Sequence, residues 1–159
     1  MRLMFGTFVV ALLCGACSAP PSQPVVADTS ASDAAAHRAH DTYVAAINSN
    51  NLDTLLGVLT DDVVYMAAHE APMVGKAAVK PWVAGYFAAF KTQWDKPVQE
   101  FVVNGEWAYE RYAYTSTDTP VGGGEPVVDT GWGLVIYHHD PDGQWRVARD
   151  AWGPDHPAR

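Results

Sequence analysis

Asp150 sits in the stretch "GQWRVARDAWGPD", residues 143–155, whose alternation reads as a closing β-strand. Strand periodicity puts Ala148, Asp150 and Trp152 on one face and Trp145, Val147, Arg149 and Ala151 on the other. A carboxyl group set among Trp and Tyr rings has its pKa raised toward neutrality, as a general base requires. A buried cation beside it does the reverse. In "EWAYERYAY", residues 106–114, Trp107, Tyr109, Arg111 and Ala113 share a face. Glu106 and Glu110 mark the opposite face as solvated, so Arg111 is expected to point inward and to reach Asp150. Two roles therefore stand open for Asp150: general base, or half of an ion pair with a structural or ligand-orienting use. On these residues Asp150→Asn is expected to leave the fold intact; a loss of several kcal/mol marks an architectural carboxylate.

Other polar groups point less clearly to chemistry. His138, His139 and Asp140 are strand neighbours facing opposite sides, a poor arrangement for chelation, and "DPDG" after them signals a hairpin end. His37 and His40 lie three apart on a helix without an identifiable third ligand, so no metal is expected. Asp61 and Asp62 fit a helix-to-strand junction. His69 falls in a loop able to overhang a pocket. "VGGGEP" precedes no helix, which removes a phosphate-cradling loop, and no cofactor is implied. The two cysteines, Cys14 and Cys17, both lie near the N-terminus. A domain beginning after them has neither disulfide nor Cys-ligated zinc.

These groups must be positioned by a chain of 159 residues with formal net charge −8, enough for one domain with a core. The scattered basic residues exclude a nucleic-acid surface. Asp33 caps an expected helix to about Asn48, with Ala36, His40, Tyr43 and Ile47 on one face. Asn51 caps a second, with Leu52, Leu55, Leu56 and Leu59 as its buried stripe. "DDVVYMA" reads as a strand. A third helix spans residues 76–90, kinked or restarted at Pro81. Residues 97–104, 106–117, 127–138 and 145–152 read as strands joined by turn signals, giving an α+β antiparallel meander with helices on one sheet face.

The N-terminal segment has Arg2, an apolar run over residues 3–13, and small residues around Cys17. That is the layout of a secretion signal. "CGACS" resembles a bacterial lipobox with Cys17 as the lipidated residue, although Cys14 stands where Leu is preferred. The expected organisation is a signal over 1–16, a Pro/Ser/Ala-rich tether over 17–32, a domain over 33–155 and a tail over 156–159. The expected location is the periplasmic side of a bacterial envelope, with the membrane contacted only through the lipid. Ser18 after the Cys favours the outer membrane, and a soluble periplasmic or secreted form is the alternative.

The ordered strings "NxxxLDxLLxxLTDDVVYM", "PMVGK", "GEWAYER" and "GQWRVARDAW" resemble the SnoaL-like group of the nuclear-transport-factor-2-like superfamily. The resemblance spans about residues 33–155. It implies a cone: a strongly curved antiparallel sheet wrapped on three helices, open at one end, with a tendency to form homodimers. Within that superfamily ketosteroid isomerase uses an Asp base with a Tyr and a protonated Asp in its oxyanion hole. Tyr43 matches the tyrosine, but the base position falls at about Met66 or Ala67. The strand "GWGLVIY" offers no second Asp, so steroid isomerisation is rejected. SnoaL-type cyclases resemble this chain in a late-strand carboxylate base, which makes Asp150, with Tyr43 or Tyr109 as hydrogen-bond donor, the catalytic candidate. Matching "AWG" to the isomerase's last strand implies that the Asp150 face looks into the cone. Tyr65, His69, Trp82, Tyr86, Tyr109, Arg111, Trp132 and Trp152 are the candidate ligand-binding residues. Together they imply an apolar pocket for a small, flat or cyclic hydrophobic molecule. The expected function is binding such a molecule; an acid/base enzyme (cyclase, isomerase or hydrolase) and a structural dimer module of the envelope are the alternatives.

Overall fold

The computed structural model describes residues 29–157. The signal, Cys17 and the first part of the tether lie outside the described residues. Helix α1 (Thr29–Asn48) begins ahead of Asp33, so the last residues assigned to the tether are helical. Helix α2 (Leu52–Gly57) is capped by Asn51, whose side chain accepts from the Thr54 N–H at 2.9 Å. It stops before Leu59, which is fully buried at the start of strand β1 (Leu59–Ala67). A two-residue strand β2 (Met73–Val74) precedes α3 (Lys76–Ala89), which runs through Pro81.

Five further strands follow: β3 (Phe90–Asp95), β4 (Val98–Asn104), β5 (Trp107–Pro120), β6 (Val127–His139) and β7 (Trp145–Pro154). The sheet runs β2-β1-β7-β6-β5-β3, with β4 also on β5. It is curved and unclosed, with the helices completing an α+β cone. All pairings are antiparallel except one: β7 returns along β1 in the same direction, so the sheet is mixed.

Two local features aim the site. Strands β3 and β4 both pair with β5, and Pro97, which has no N–H to offer a ladder, separates them. The inward alternation Thr92, Trp94 is continued by Lys96 at that junction, and Lys96 is buried. In β7 the register pairs Ile136 with Arg149 but Tyr137 with Val147, leaving Ala148 as a bulge. The bulge turns Val147, 1% exposed, to the same side as Asp150. Ala148 instead lines a separate surface groove with Asp62 and Arg146, which corrects its expected place beside Asp150. The core is formed by Ala36, Ala39 and Ala46 of α1, Val79 and Val83 of α3, and Leu59, Val63, Val135 and Val147 of the sheet.

Candidate ligand cavity and its buried polar end

Between α1, α3 and the inner sheet face lies a cavity of about 360 Å³. Its aromatic wall is built from contacts across elements. Trp82 and Tyr86 of α3 stack at 5.7 Å, and Trp152 of β7 meets Tyr65 edge-on at 5.4 Å and Trp82 at 6.1 Å. His69, in the left-handed region at φ 64°, closes the loop after β1 and also lines the space.

At its most buried end the cavity reaches Asp150, which is 2% exposed. Tyr43 of α1 donates to Oδ2 at 2.7 Å and Tyr112 of β5 donates to Oδ1 at 2.9 Å. The Tyr43 and Tyr65 hydroxyls are 2.9 Å apart. With the Tyr43 proton engaged by the carboxylate, Tyr65 donates to Tyr43, giving a chain Tyr65–Tyr43–Asp150 in which each bond polarises the next. The cation beside Asp150 is Lys96. Its Nζ lies 3.8 Å from Oδ2, close enough for an ion pair but beyond hydrogen-bond length. The same Nζ sits 3.8 Å from the Tyr112 ring centroid and 4.5 Å from that of Tyr43.

Burial dominates the electrostatics here. It pushes the Asp150 carboxyl upward against the lowering effect of Lys96 and the two phenols. It pushes the Lys96 ammonium downward against the attraction of Asp150 and Glu110. The two groups thus approach one another in proton affinity relative to the same groups in water. The Tyr43 and Tyr112 phenols are held well above their ordinary range, first by burial and then by the Asp150 charge, so both stay protonated as donors.

A second buried acid lies behind this cluster. Glu110 is 0% exposed, the reverse of the solvated position expected for it. His40 Nδ1 lies 3.0 and 2.9 Å from its two oxygens, and Tyr137 donates to it at 3.0 Å. His37, three residues before His40 on α1, stacks on Phe101 at 4.1 Å.

The inward face of β5 therefore carries Ala108, Glu110, Tyr112 and Tyr114. Three expected lining residues are corrected accordingly. Arg111 points outward, with Nε 3.6 Å from Glu100, and does not pair with Asp150. Tyr109 is 37% exposed and donates to Glu100 at 3.3 Å. Trp132 on β6, 64% exposed, lies opposite Ala113 on the outer face, joined there by Leu134. By contrast Tyr43, Tyr65, His69, Trp82, Tyr86, Asp150 and Trp152 all line the cavity. Lys96, Tyr112 and Glu110 were not recognised in the sequence. For Lys96 the available signal was the alternation Thr92, Trp94, Lys96 ahead of a proline. His138, Asp140 and Arg146 form a half-buried chain, with 2.7 Å from His138 to Asp140 and 2.7 Å from Asp140 to Arg146.

Solved structures with this architecture include a ketosteroid isomerase-like protein from Erwinia carotovora atroseptica, 23% identical with TM-score 0.71. It covers 78% of this chain and 96% of its own. A conserved protein from Planctomyces limnophilus is 24% identical with TM-score 0.71, covering 79% and 98%. A nuclear-transport-factor-2-like superfamily protein from Salmonella enterica is 16% identical with TM-score 0.68, covering 82% and 94%. These likenesses establish the fold alone. Among curated proteins none matches the sequence. The sequence matches the SnoaL-like domain over residues 40–148, from His40 at the buried glutamate to Ala148 at the β7 bulge, and the chain belongs to that family.

Proposed function

We propose that the cone binds a small, largely apolar, ring-containing molecule with one oxygen-bearing group placed against Asp150, Tyr65 and Lys96. The observation that supports it is the cavity itself: its wall is largely aromatic, Tyr43, Tyr65, Lys96 and Asp150 gather at its buried end, His69, Glu70, Asp118 and Asp129 add polar groups elsewhere in the lining, and the protein's own side chains do not fill it. An unfilled cavity favours this reading over a purely structural module. The converging proton affinities of Asp150 and Lys96 favour a second reading at the same place, acid/base catalysis with Asp150 as the proton acceptor.

Native mass spectrometry of the domain tests the first reading and reports oligomeric state in the same spectrum. The expected result is retained or added mass from a cyclic hydrophobic compound, on a dimer joined through the outer-face residues Trp132, Leu134 and Tyr109. If a panel of cyclic ketones, phenols and aromatic aldehydes leaves the mass unchanged, the ligand reading fails. A monomer at micromolar concentration removes the dimer.

We further propose export, with a lipid on Cys17 holding the domain at the envelope, supported by the charge, apolar run and small residues of the N-terminus. Cys17→Ser is expected to move the protein from the membrane to the soluble fraction. An unchanged distribution removes the anchor.

A further inference from the structure

Lys96 is the one of the four lysines, with Lys76, Lys80 and Lys91, that is buried; its side chain is 1% exposed and it lines the cavity. It is the nearest cation to Asp150 and lies over the Tyr112 and Tyr43 rings, so it belongs both to the buried polar cluster and to the cavity lining. The groups facing it are Asp150 of β7, Tyr43 of α1, and Tyr112 and Glu110 of β5. Its contact with Asp150 is an ion pair at 3.8 Å rather than a hydrogen bond, so the nitrogen is not locked by that carboxylate. An amine at the dry end of an apolar cavity, with a carboxyl group and a phenol in reach, is the arrangement that makes lysine a nucleophile toward carbonyl carbon.

From the geometry we infer that Lys96 forms an imine with a small aromatic or cyclic aldehyde or ketone bound in the cavity, with Asp150 moving the protons. The inference rests on the proposed ligand reading and names its substrate class. The neutral Nζ donates its lone pair to the carbonyl carbon, and the C=O π pair moves onto oxygen. Asp150 takes a proton from the nitrogen and delivers one to the oxygen, giving a carbinolamine. Asp150 then takes the remaining N–H proton and passes one to the hydroxyl, so that the C–O bond breaks with loss of water as the nitrogen electron pair forms C=N. Carbonyl and amine become imine and water, with no redox change. The Tyr65–Tyr43–Asp150 chain steadies the carboxylate form through each transfer. Burial lowers the Lys96 pKa and so enlarges the neutral fraction from which attack proceeds.

The test uses the wild-type chain with cinnamaldehyde and sodium cyanoborohydride at pH 7, followed by peptide mapping of the reduced adduct. Lys96 is expected to be labelled at least ~10-fold faster than exposed Lys91, because a positioned carboxyl group assists proton transfer at Lys96. That comparison lies within one folded protein and needs no variant. Asp150→Asn removes the group that moves the protons, and although it also enlarges the neutral fraction of Lys96, the lost proton transfer is expected to dominate and slow labelling of Lys96 about tenfold, while leaving Lys91 unchanged. In parallel, cinnamyl alcohol, which cannot form an imine, is titrated by tryptophan fluorescence. Binding of the alcohol with no preference for Lys96 overturns the imine inference and leaves the ligand reading standing. If the alcohol does not bind and Lys96 is labelled no faster than Lys91, both fall.

Discussion

Asp150→Asn is expected to lower unfolding stability by about 3 kcal/mol at pH 7, whereas the paired change Asp150→Leu with Lys96→Met is expected to recover most of that loss. The single substitution replaces an acceptor of two phenol hydrogen bonds by an amide with one acceptor oxygen. It also takes the nearest counter-charge from an ammonium that is 1% exposed on its side chain. Breaking one side of a buried pair costs about 3–5 kcal/mol, while replacing both partners with apolar groups of similar volume is often close to neutral. A loss of that size is the mark of an architectural carboxylate, so Asp150 is expected to hold the buried end of the cavity together as well as to face its contents.

The sign of the pH effect follows from Lys96. Its folded pKa lies below the unfolded value, so between the two the unfolded chain binds more protons and stability rises with pH. Removing the Asp150 charge depresses the folded value further and widens that window. The deficit of Asp150→Asn is therefore expected to shrink as pH rises through the interval between the variant's and the wild type's folded Lys96 pKa, both below its ordinary value. Urea unfolding of the wild type, both single variants and the double variant checks this directly. A single-variant cost below about 1 kcal/mol, the size of an exposed pair, would mean that the two groups are not coupled in a dry environment.

The second large effect is expected from a position that carries no chemistry. A Cβ on Gly133 of β6 would collide with the Tyr112 hydroxyl, and would lie 2.6 Å from the Ala151 carbonyl oxygen. The latter belongs to the neighbouring strand and cannot swing away. Gly133→Ala is therefore expected to cost about 3 kcal/mol, the upper part of the usual overpacking range. It should also displace Tyr112 from Asp150, weakening ligand binding at a site it does not itself contact. Exposed Gly85 in α3 has open space where a Cβ would stand. Gly85→Ala is expected to stabilise by roughly 0.5–1 kcal/mol through helix propensity. If Gly133→Ala is as stable as the wild type, the close approach of Tyr112 to β6 is wrong, and with it the placement of one of Asp150's two donors.

Periodicity and caps carry a good deal of this structure. The leucine pattern and Asn51 specify α2, and the turn signals separate the long strands. Alternation in β7 sets Asp150 and Trp152 on one face, the resemblance to the isomerase's last strand turns that face inward, and both residues line the cavity. The same reasoning fails on β5, and for an identifiable reason. Trp107, Tyr109, Tyr112 and Tyr114 give both faces of that strand aromatic residues, so hydrophobicity does not choose between them. The choice falls to tertiary partners: Glu110 turns inward because His40 and Tyr137 satisfy its carboxylate there, and Arg111 turns out to meet Glu100. A glutamate read alone is assigned to water, because the cost of its burial is visible and its compensation is not.

Asp150 shows the division most clearly. Local order along the chain establishes that a carboxylate closes the last strand on the face of a tryptophan, in a domain of helices followed by strands. Which cation answers it is a matter of distance between segments remote in sequence. Arg111 and Lys96 are both plausible by type, and only the register of β5 and the interruption at Pro97 bring Lys96, not Arg111, to 3.8 Å. Side-chain direction within a strand is a local property with period two. The meeting of side chains from α1, β5, β7 and the β3–β4 junction depends on sheet curvature and on a single bulge, and these emerge only when the whole cone is packed.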